Sequence, residues 1–247
     1  MPTGLHKRKF LKKLGLLDFT ESLKKKFAYI EKNFSPCTPH LLLAVHKGLH
    51  WCEEKNPSEV GDYLEFGIFR GFTFWYAQAL ARDMGIQNMR FFGFDSFFGL
   101  PPLEGIDKEG EFQEGAYYSS KKEVEKFLNQ YGVDWDRTHL FEGLFQKTLT
   151  KATREKHGLK KCSLCVIDCD LYESTRLALD FIEPLIGDSM VILFDDWMNF
   201  GADPAKGEQK AFSEFLKKNP RLSAEPFVEF GGHGKGFVLR SVSNTRD

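Results

Sequence analysis

Residues 162–197 read CSLCVIDCDLYESTRLALDFIEPLIGDSMVILFDDW and contain two short apolar runs on either side of a longer amphipathic stretch. The runs Cys162–Ile167 and Met190–Phe194 have apolar side chains at nearly every position, which is typical of strands covered on both faces. The stretch between them, about 173–185, has the length of a helix rather than of a strand. This segment therefore predicts two parallel strands joined by a helix.

The same alternation of strands and helices extends in both directions from this unit. We predict further helices at 38–54, 72–84, 120–131, 146–157 and 204–218, and further strands at 62–67, 90–95, 138–142, 225–230 and 235–240. The pattern indicates an α/β fold with a doubly wound, mostly parallel, seven-stranded sheet. The last two strands flank the turn residues 231–234, so they predict an antiparallel C-terminal pair.

The length of 247 residues suits one large α/β domain with an appendage. We predict a domain over 38–247 and an N-terminal extension over 1–37. The extension is basic and places Phe10, Leu11 and Leu14 on helical spacing. It is interpreted as a cap helix with a charged outer face, or as an amphipathic helix that lies on a membrane or a partner.

Composition limits the classes of partner and the cellular compartment. The 34 Lys and Arg nearly balance the 35 Asp and Glu, so the chain as a whole has no attraction for nucleic acid, and none is expected as a partner. No apolar run approaches the ~20 residues that a membrane-spanning helix needs. The five cysteines, without secretory features, favour reduced thiols and a cytoplasmic location.

Two pairs of residues have metal-ligand types but favour structural roles. Cys162 and Cys165 fall inside a predicted buried strand, where their side chains point to opposite faces, so we interpret them as core thiols. His46 and His50 lie four apart on a predicted helix, but no glutamate follows His46 and no third ligand is evident. We therefore interpret both histidines as residues of a packed helix rather than as metal ligands.

Two strand ends carry the pattern of a nucleotide-type ligand site. After the first strand, Gly67 and Gly71 lie four apart and lead into a helix whose N-terminus can receive an anionic group. The pattern is neither G-x-G-x-x-G nor a P-loop. Asp95 ends the next strand, where a carboxylate either accepts the hydroxyls of a ribose or caps the following turn. Phe97 and Phe98 either flank an adenine ring or belong to the core.

Four aspartates at two successive strand ends are the most informative feature. Asp168 and Asp170 follow one strand, and Asp195 and Asp196 follow the next. If the strands are neighbours, the carboxylates converge, and two charges ~4 Å apart repel by about 4 kcal/mol at an effective dielectric of ~20. A hard divalent cation relieves that repulsion, with Mg²⁺ favoured and Mn²⁺ or Ca²⁺ possible. The alternative is that the aspartates cap helices, or are protonated or solvated.

Several segments occur in the order seen in the macrocin O-methyltransferase family, which the chain resembles over roughly 60–215. The matching segments are YLEFGIFRG (63–71), GFDSFFGLP (93–101), FEGLFQKTL (141–149), IDCDLYEST (167–175) and FDDW (194–197). The resemblance implies a Rossmann-like class I methyltransferase fold, bound S-adenosylmethionine and a magnesium ion. It also implies O-methylation of a sugar hydroxyl in a natural product, and family members commonly form homodimers.

The resemblance also implies roles for individual residues. Asp168, Asp195 and Asp196 match the metal ligands, and Asp170 matches the general base, a role for which Asp168 is the alternative. The residues that match the cofactor site are Glu65, Phe66, Gly67 and Arg70 at the methionine end, Asp95 and Ser96 at the ribose and adenine, Glu142 and Gly143 beside the adenine, and Asp168.

The chain departs from the family at three places. Phe66 replaces a small residue, Trp197 replaces a tyrosine, and residues 207–210 (Gly-Glu-Gln-Lys) replace a Cys-Arg pair. These changes leave the acceptor open, so a catechol-type or other small-molecule O-methyltransferase is an alternative. A nicotinamide-dependent oxidoreductase and a non-enzymatic scaffold are weaker alternatives. The long connection 96–119 is interpreted as a lid over the acceptor.

Overall fold

A computed structural model describes residues 38–55, 57–110 and 112–241. Its strands are β1 Asp62–Phe66, β2 Phe91–Asp95, β3 Thr138–Glu142, β4 Cys162–Ile167, β5 Ser189–Phe194, β6 Leu222–Phe230 and β7 Gly234–Ser241. Its α-helices are α1 Thr38–Lys55, α2 Phe72–Asp83, α3 Lys121–Gln130, α4 Phe145–Thr148, α5 Lys151–Lys156, α6 Tyr172–Ile182 and α7 Gly207–Lys218. The predicted extension 1–37 lies outside the described residues, so its role and the domain boundary stay predictions.

The strands form a seven-stranded sheet in the order β3-β2-β1-β4-β5-β7-β6. The first five strands in this order are parallel, and β7 runs antiparallel to both β5 and β6. The predicted fold class is therefore confirmed. The order reverses between β1 and β4, and ligands of such sheets bind at the carboxyl ends of the strands where that reversal occurs.

Aromatic side chains fill much of the core, as the 25 phenylalanines lead one to expect. Phe66, Phe94 and Phe141 stack across β1, β2 and β3, with ring centroids 5.2 and 4.6 Å apart. Every residue of β4 is buried, which confirms that both faces of this strand are covered. Burial raises the pKa of the Cys162 and Cys165 thiols well above their usual range, so both remain protonated core groups.

One predicted element is wrong, while the others lie close to their predicted bounds. The helix expected at 146–157 is divided into α4 and α5. Thr150 adopts an extended conformation between them, and its hydroxyl accepts a hydrogen bond from the Thr153 N–H at 3.1 Å. An N-cap of this kind starts a new helix, because it supplies a partner for an N–H that the helix itself leaves unpaired.

Within the described part of the chain, no helix combines the length and apolar character needed to cross a membrane.

Candidate active site at the carboxyl ends of the central strands

Backbone pairing continues past the ends of β1, β4 and β5 and brings their following residues into one row. The Asp168 N–H donates to the Phe66 carbonyl at 2.9 Å, and the Asp195 N–H donates to the Ile167 carbonyl at 3.0 Å. The first residue after β4 and the first after β5 are thus neighbours. The adjacency that the acidic pattern requires is present in the sheet.

The turn after β1 is built on two glycines with left-handed backbone. Gly67 has φ +88°, and Gly71, with φ +83°, precedes α2. A methyl group added at Gly67 would lie 1.7 Å from the Asp168 carbonyl oxygen. Glycine is therefore required for the end of β1 to approach the end of β4 this closely.

The Asp95 carboxylate holds this turn in place. Its Oδ2 accepts hydrogen bonds from the Ile68 and Phe69 N–H groups at 2.7 and 3.0 Å, and its Oδ1 accepts one from the Phe97 N–H at 2.7 Å. The turn-capping role is present in the structure. Since two carboxylate oxygens offer about four lone-pair directions, the described residues leave one direction at Oδ1 open. Binding of a ribose by Asp95 stays a prediction.

The segment after Asp95 turns sharply. The Ser96 hydroxyl donates to the Gly99 carbonyl at 2.6 Å and accepts from the Phe98 N–H at 3.0 Å. Phe97 is buried, whereas the Phe98 side chain is 70% exposed. Of the two rings, only Phe98 is therefore accessible to a ligand in this conformation.

The other residues matched to the cofactor site divide into buried and accessible groups. The Phe66 ring is fully buried among aromatic side chains, so only its backbone faces the strand end. Arg70 lies with its guanidinium 4.9 Å from the Phe69 ring. Gly143 donates its N–H to the Asp95 carbonyl at 3.0 Å, while Glu142 pairs with Lys121 at 3.7 Å. Their cofactor roles stay predictions.

The four aspartates at the ends of β4 and β5 lie close enough to repel one another. Burial first, and then repulsion from Asp195 and Asp196, raises the pKa of Asp168 well above its usual range. The pKa of Asp170 is raised in the same way. Burial and the neighbouring Asp195 raise the pKa of Asp196 to about 7. The raised pKa values favour protonated carboxyl groups at the ends of β4 and β5, and a cation bound there would stabilise their ionised forms.

Asp170 also has an unusual backbone. Its φ of +63° places it in the left-handed region, which costs a residue with a Cβ about 1–2 kcal/mol. Such strain is concentrated at functional sites, where the surrounding structure holds a side chain in place.

Two residues at this site were not assigned to it from the sequence. His233, in the turn before β7, places its Nε2 3.3 Å from Asp195 Oδ1. Glu208, near the start of α7, is 1% exposed, and repulsion from the four aspartates adds to burial in raising its pKa well above its usual range. The available signals were the glycine-flanked His233 and the departure from the family at residues 207–210.

Within 38–55, 57–110 and 112–241, no three His, Cys, Asp or Glu side chains are arranged in this conformation so that they could hold a metal ion. The His46 and His50 rings contact each other through their Nε2 atoms at 3.0 Å on α1, and they gain no third ligand from the described residues.

The connection 96–119 is tied to the same end of the sheet. Asp107 is buried, and its carboxylate accepts hydrogen bonds from the first two N–H groups of α6, at 2.8 and 3.2 Å. Further along, the Phe112 ring packs against Phe200 with centroids 5.7 Å apart. These contacts must break before the connection can open, so a lid role stays a prediction.

Glu65 is a buried carboxyl group within β1. It is 1% exposed and accepts a hydrogen bond from the Tyr63 hydroxyl. Burial, opposed by this hydrogen bond and reinforced by repulsion from Asp95, raises the pKa of Glu65 to about 8. Without a ligand, folded protein therefore holds a proton on Glu65 at neutral pH.

This raised pKa predicts a pH-dependent stability. Because the folded pKa of about 8 exceeds the usual 4.5, the folded state binds the proton more tightly than the unfolded state does. The stabilisation is complete below about pH 4.5 and is lost as the pH rises through about 8. Glu65→Gln cannot ionise and keeps an acceptor for Tyr63, so its melting temperature should fall less between pH 6.5 and 9. Thermal melts of both proteins in a chelator measure the difference, and parallel curves would contradict the prediction.

The strand order, the glycine turn after β1 and the acidic strand ends define a class I methyltransferase fold. The O-methyltransferase NovP shares it with a TM-score of 0.65 and 20% identity, over 81% of this chain and 78% of that chain. The calicheamicin methyltransferase CalS11 shares it with a TM-score of 0.65 and 21% identity, over 92% of each chain. The chain belongs to the TylF family of macrocin O-methyltransferases, which matches residues 49–220.

Two named O-methyltransferases are similar to about two thirds of the chain. The 8-demethyl-8-(2,3-dimethoxy-alpha-L-rhamnosyl)-tetracenomycin-C 4'-O-methyltransferase of Streptomyces olivaceus is 26% identical over 172 residues, which cover 66% of this chain and 64% of that protein. Mycinamicin III 3''-O-methyltransferase of Micromonospora griseorubida is 21% identical over 174 residues, 66% of each. The chain therefore spans just under two thirds of the length of these relatives.

Proposed function

We propose that this chain is an S-adenosylmethionine-dependent and magnesium-dependent O-methyltransferase that methylates a hydroxyl of a sugar or glycosylated natural product. The observation that carries the proposal is the convergence of Asp168, Asp170, Asp195 and Asp196 beside the glycine turn that follows β1. Membership in the TylF family supports the reaction type.

The residues around the glycine turn fit a sulfonium donor. Glu65, Gly67 and Arg70 would hold its methionine end, and Asp95 and Ser96 would hold the ribose and adenine. The open lone-pair direction at Asp95 Oδ1 suits a hydroxyl donor. An O-methyltransferase of Bacillus cereus that shares the fold, with a TM-score of 0.51 and 16% identity, was solved in complex with SAH, the demethylated donor.

The donor atoms at the ends of β4 and β5 fit a hard divalent cation. Asp195 Oδ1 is buried, and because its 3.3 Å contact with His233 Nε2 does not have hydrogen-bond geometry, this oxygen has no hydrogen-bond donor among the residues that the structure describes. A cation held by Asp168, Asp195 and Asp196 would relieve the repulsion among them. Oxygen ligands favour Mg²⁺, with Mn²⁺ or Ca²⁺ as alternatives.

The chain's own groups would then perform three tasks. When bound, the donor supplies a methyl group on a sulfonium and the cation lowers the pKa of the acceptor hydroxyl. Asp170, or alternatively Asp168, removes the hydroxyl proton, a contribution of about 10²–10⁴-fold in similar enzymes. The strand ends align the acceptor oxygen with the methyl group, and the connection 96–119 excludes water above them.

The relatives favour a sugar as the acceptor. One of them is named for a rhamnosyl-bearing tetracenomycin, and a second CalS11 structure, with a TM-score of 0.57, is described as a TDP-rhamnose 3'-O-methyltransferase. We therefore propose a deoxysugar or a glycoside of one as the substrate class. A homodimer in the cytoplasm, without nucleic acid as a partner, stays a prediction.

Calorimetry followed by a methyl-transfer assay tests the proposal. S-adenosylmethionine and SAH are expected to bind with similar stoichiometry, and NAD is expected not to bind. Transfer from labelled donor to a rhamnosyl glycoside should stop in a chelator and return with Mg²⁺, and a catechol serves as the comparison acceptor. Full activity in the chelator would exclude the metal, and binding of NAD without the methyl donor would exclude a methyltransferase.

A further inference from the structure

Glu208 is a buried carboxyl group that lacks a hydrogen-bond partner among the residues that the structure describes. It is 1% exposed, and neither side-chain oxygen has a hydrogen-bond partner within the described ranges. A neutral carboxylic acid also needs a hydrogen-bond acceptor for its proton, and an ionised one needs a donor or a cation. The described protein atoms around Glu208 satisfy neither form.

The packing of α7 directs Glu208 inward. Ala211, Phe212 and Phe215 lie three, four and seven positions further along, and all three are buried in the core. Glu208 therefore begins the core-facing stripe of the helix, where an apolar residue is expected. The N-terminus of a helix favours a negative charge, but this effect is smaller than the cost of burying an unpaired ion.

The neighbours of Glu208 are the acidic strand ends. The first turn of α7 lies against the end of β5, since the Gln209 side-chain N–H donates to the carbonyl of Trp197, the residue after Asp196, at 2.7 Å. Consistent with this placement, repulsion from Asp168, Asp170, Asp195 and Asp196 adds to burial in raising the pKa of Glu208. Glu214 on the same helix differs from Glu208 and is typical of a surface glutamate. It points outward, pairs with Lys210 at 2.6 Å and accepts a hydrogen bond from the Tyr172 hydroxyl at 2.7 Å.

We propose that Glu208 supplies a further carboxylate to the divalent-cation site, beside Asp168, Asp195 and Asp196. The inference rests on the cation of the proposed function and adds a ligand from α7 to those from the two strands. It also gives a role to Glu208, one of the residues 207–210 at which the chain departs from the family pattern.

Titration with Mn²⁺ tests whether Glu208 is a ligand. Binding is measured as the decrease in the electron paramagnetic resonance signal of the free ion. The full-length protein is titrated as wild type, as Glu208→Gln and as Glu214→Gln, which removes a carboxylate from the outer face of the same helix. We expect Glu208→Gln to weaken Mn²⁺ binding at least about 10-fold, a loss typical of groups that support a metal site. Glu214→Gln should bind within about twofold of wild type.

Thermal melting separates loss of a ligand from loss of the fold. In a chelator, Glu208→Gln should melt at or above the wild-type melting temperature, because it replaces a buried unpaired carboxylate with a neutral amide of nearly the same shape. Saturating Mn²⁺ should then raise the melting temperature of wild type more than that of the variant.

Each outcome decides between the two proposals. Equal Mn²⁺ affinity of wild type and Glu208→Gln overturns the role of Glu208 and leaves the cation site standing. A variant that melts well below wild type in the chelator also overturns it, since Glu208 would then be a structural group. Failure of the wild type to bind Mn²⁺ overturns the cation and this inference together, whereas binding of S-adenosylmethionine is measured independently of both.

Discussion

Asp170→Asn is expected to reduce methyl-transfer turnover at least about 100-fold while S-adenosylmethionine binding is largely retained. Asparagine has the same shape as aspartate but cannot remove a proton from the acceptor hydroxyl. It also tolerates the left-handed backbone of φ +63° at this position, so the turn should keep its conformation. Single-turnover rates with a glycoside acceptor and calorimetry with the donor measure the two quantities separately.

A matched control and a competing residue make this result decisive. Asp180→Asn changes an aspartate on α6 that pairs with Arg176 and Lys218 on the surface, and its turnover should stay near normal. Near-normal turnover of Asp170→Asn would remove Asp170 from the role of base. If Asp168→Asn then lost turnover while it still bound Mn²⁺, Asp168 would be the base.

Gly67→Ala is expected to lower the free energy of unfolding by more than about 2 kcal/mol and to weaken donor binding. Left-handed backbone alone costs a residue with a Cβ about 1–2 kcal/mol. At Gly67 the added methyl group would also lie 1.7 Å from the Asp168 carbonyl oxygen, which is backbone and cannot swing aside. The ends of β1 and β4 must therefore separate, and the proposed donor site would be disturbed because it includes Gly67 and Asp168.

Gly85→Ala is a control that introduces the strain of a left-handed backbone without a steric clash. Gly85 has φ +76°, and a methyl group there would meet no atom within 4 Å. Since about 1 kcal/mol corresponds to 2–4 °C for a chain of this size, we expect Gly67→Ala to melt several degrees below Gly85→Ala. Equal melting temperatures for the two variants would show that the residues after β1 and β4 leave room for a methyl group at Gly67, and would contradict this prediction.

The order and type of the elements were readable from the sequence because local side-chain patterns determine them. The apolar runs of β4 and β5 have the composition of strands covered on both faces, and the helix between them has the right length. The exception is 146–157, where Thr150 caps α5 and divides the predicted helix. The Thr150 hydroxyl marks this break as an N-cap, and the spacing of apolar residues along 146–157 does not indicate it.

The four aspartates were recognised from the sequence only on the condition that β4 and β5 are neighbours. The pairing of Ile167 with Phe194 meets that condition and places Asp168 beside Asp195. Asp95 shows the opposite limit. Its position at a strand end predicted that its carboxylate lies at the site. The sequence did not show that this carboxylate accepts hydrogen bonds from three backbone N–H groups in two different turns.

Composition and periodicity by themselves determined the α/β class, the parallel sheet with its antiparallel final pair, and the acidic strand ends, because each depends on residues close together in the chain. Only the tertiary structure decided that the inward face of α7 brings Glu208 to the acidic ends of β4 and β5 and that the turn before β7 brings His233 to Asp195. Such contacts join residues far apart in sequence. They depend on how helices and hairpins pack against the sheet, and a linear pattern does not record that packing.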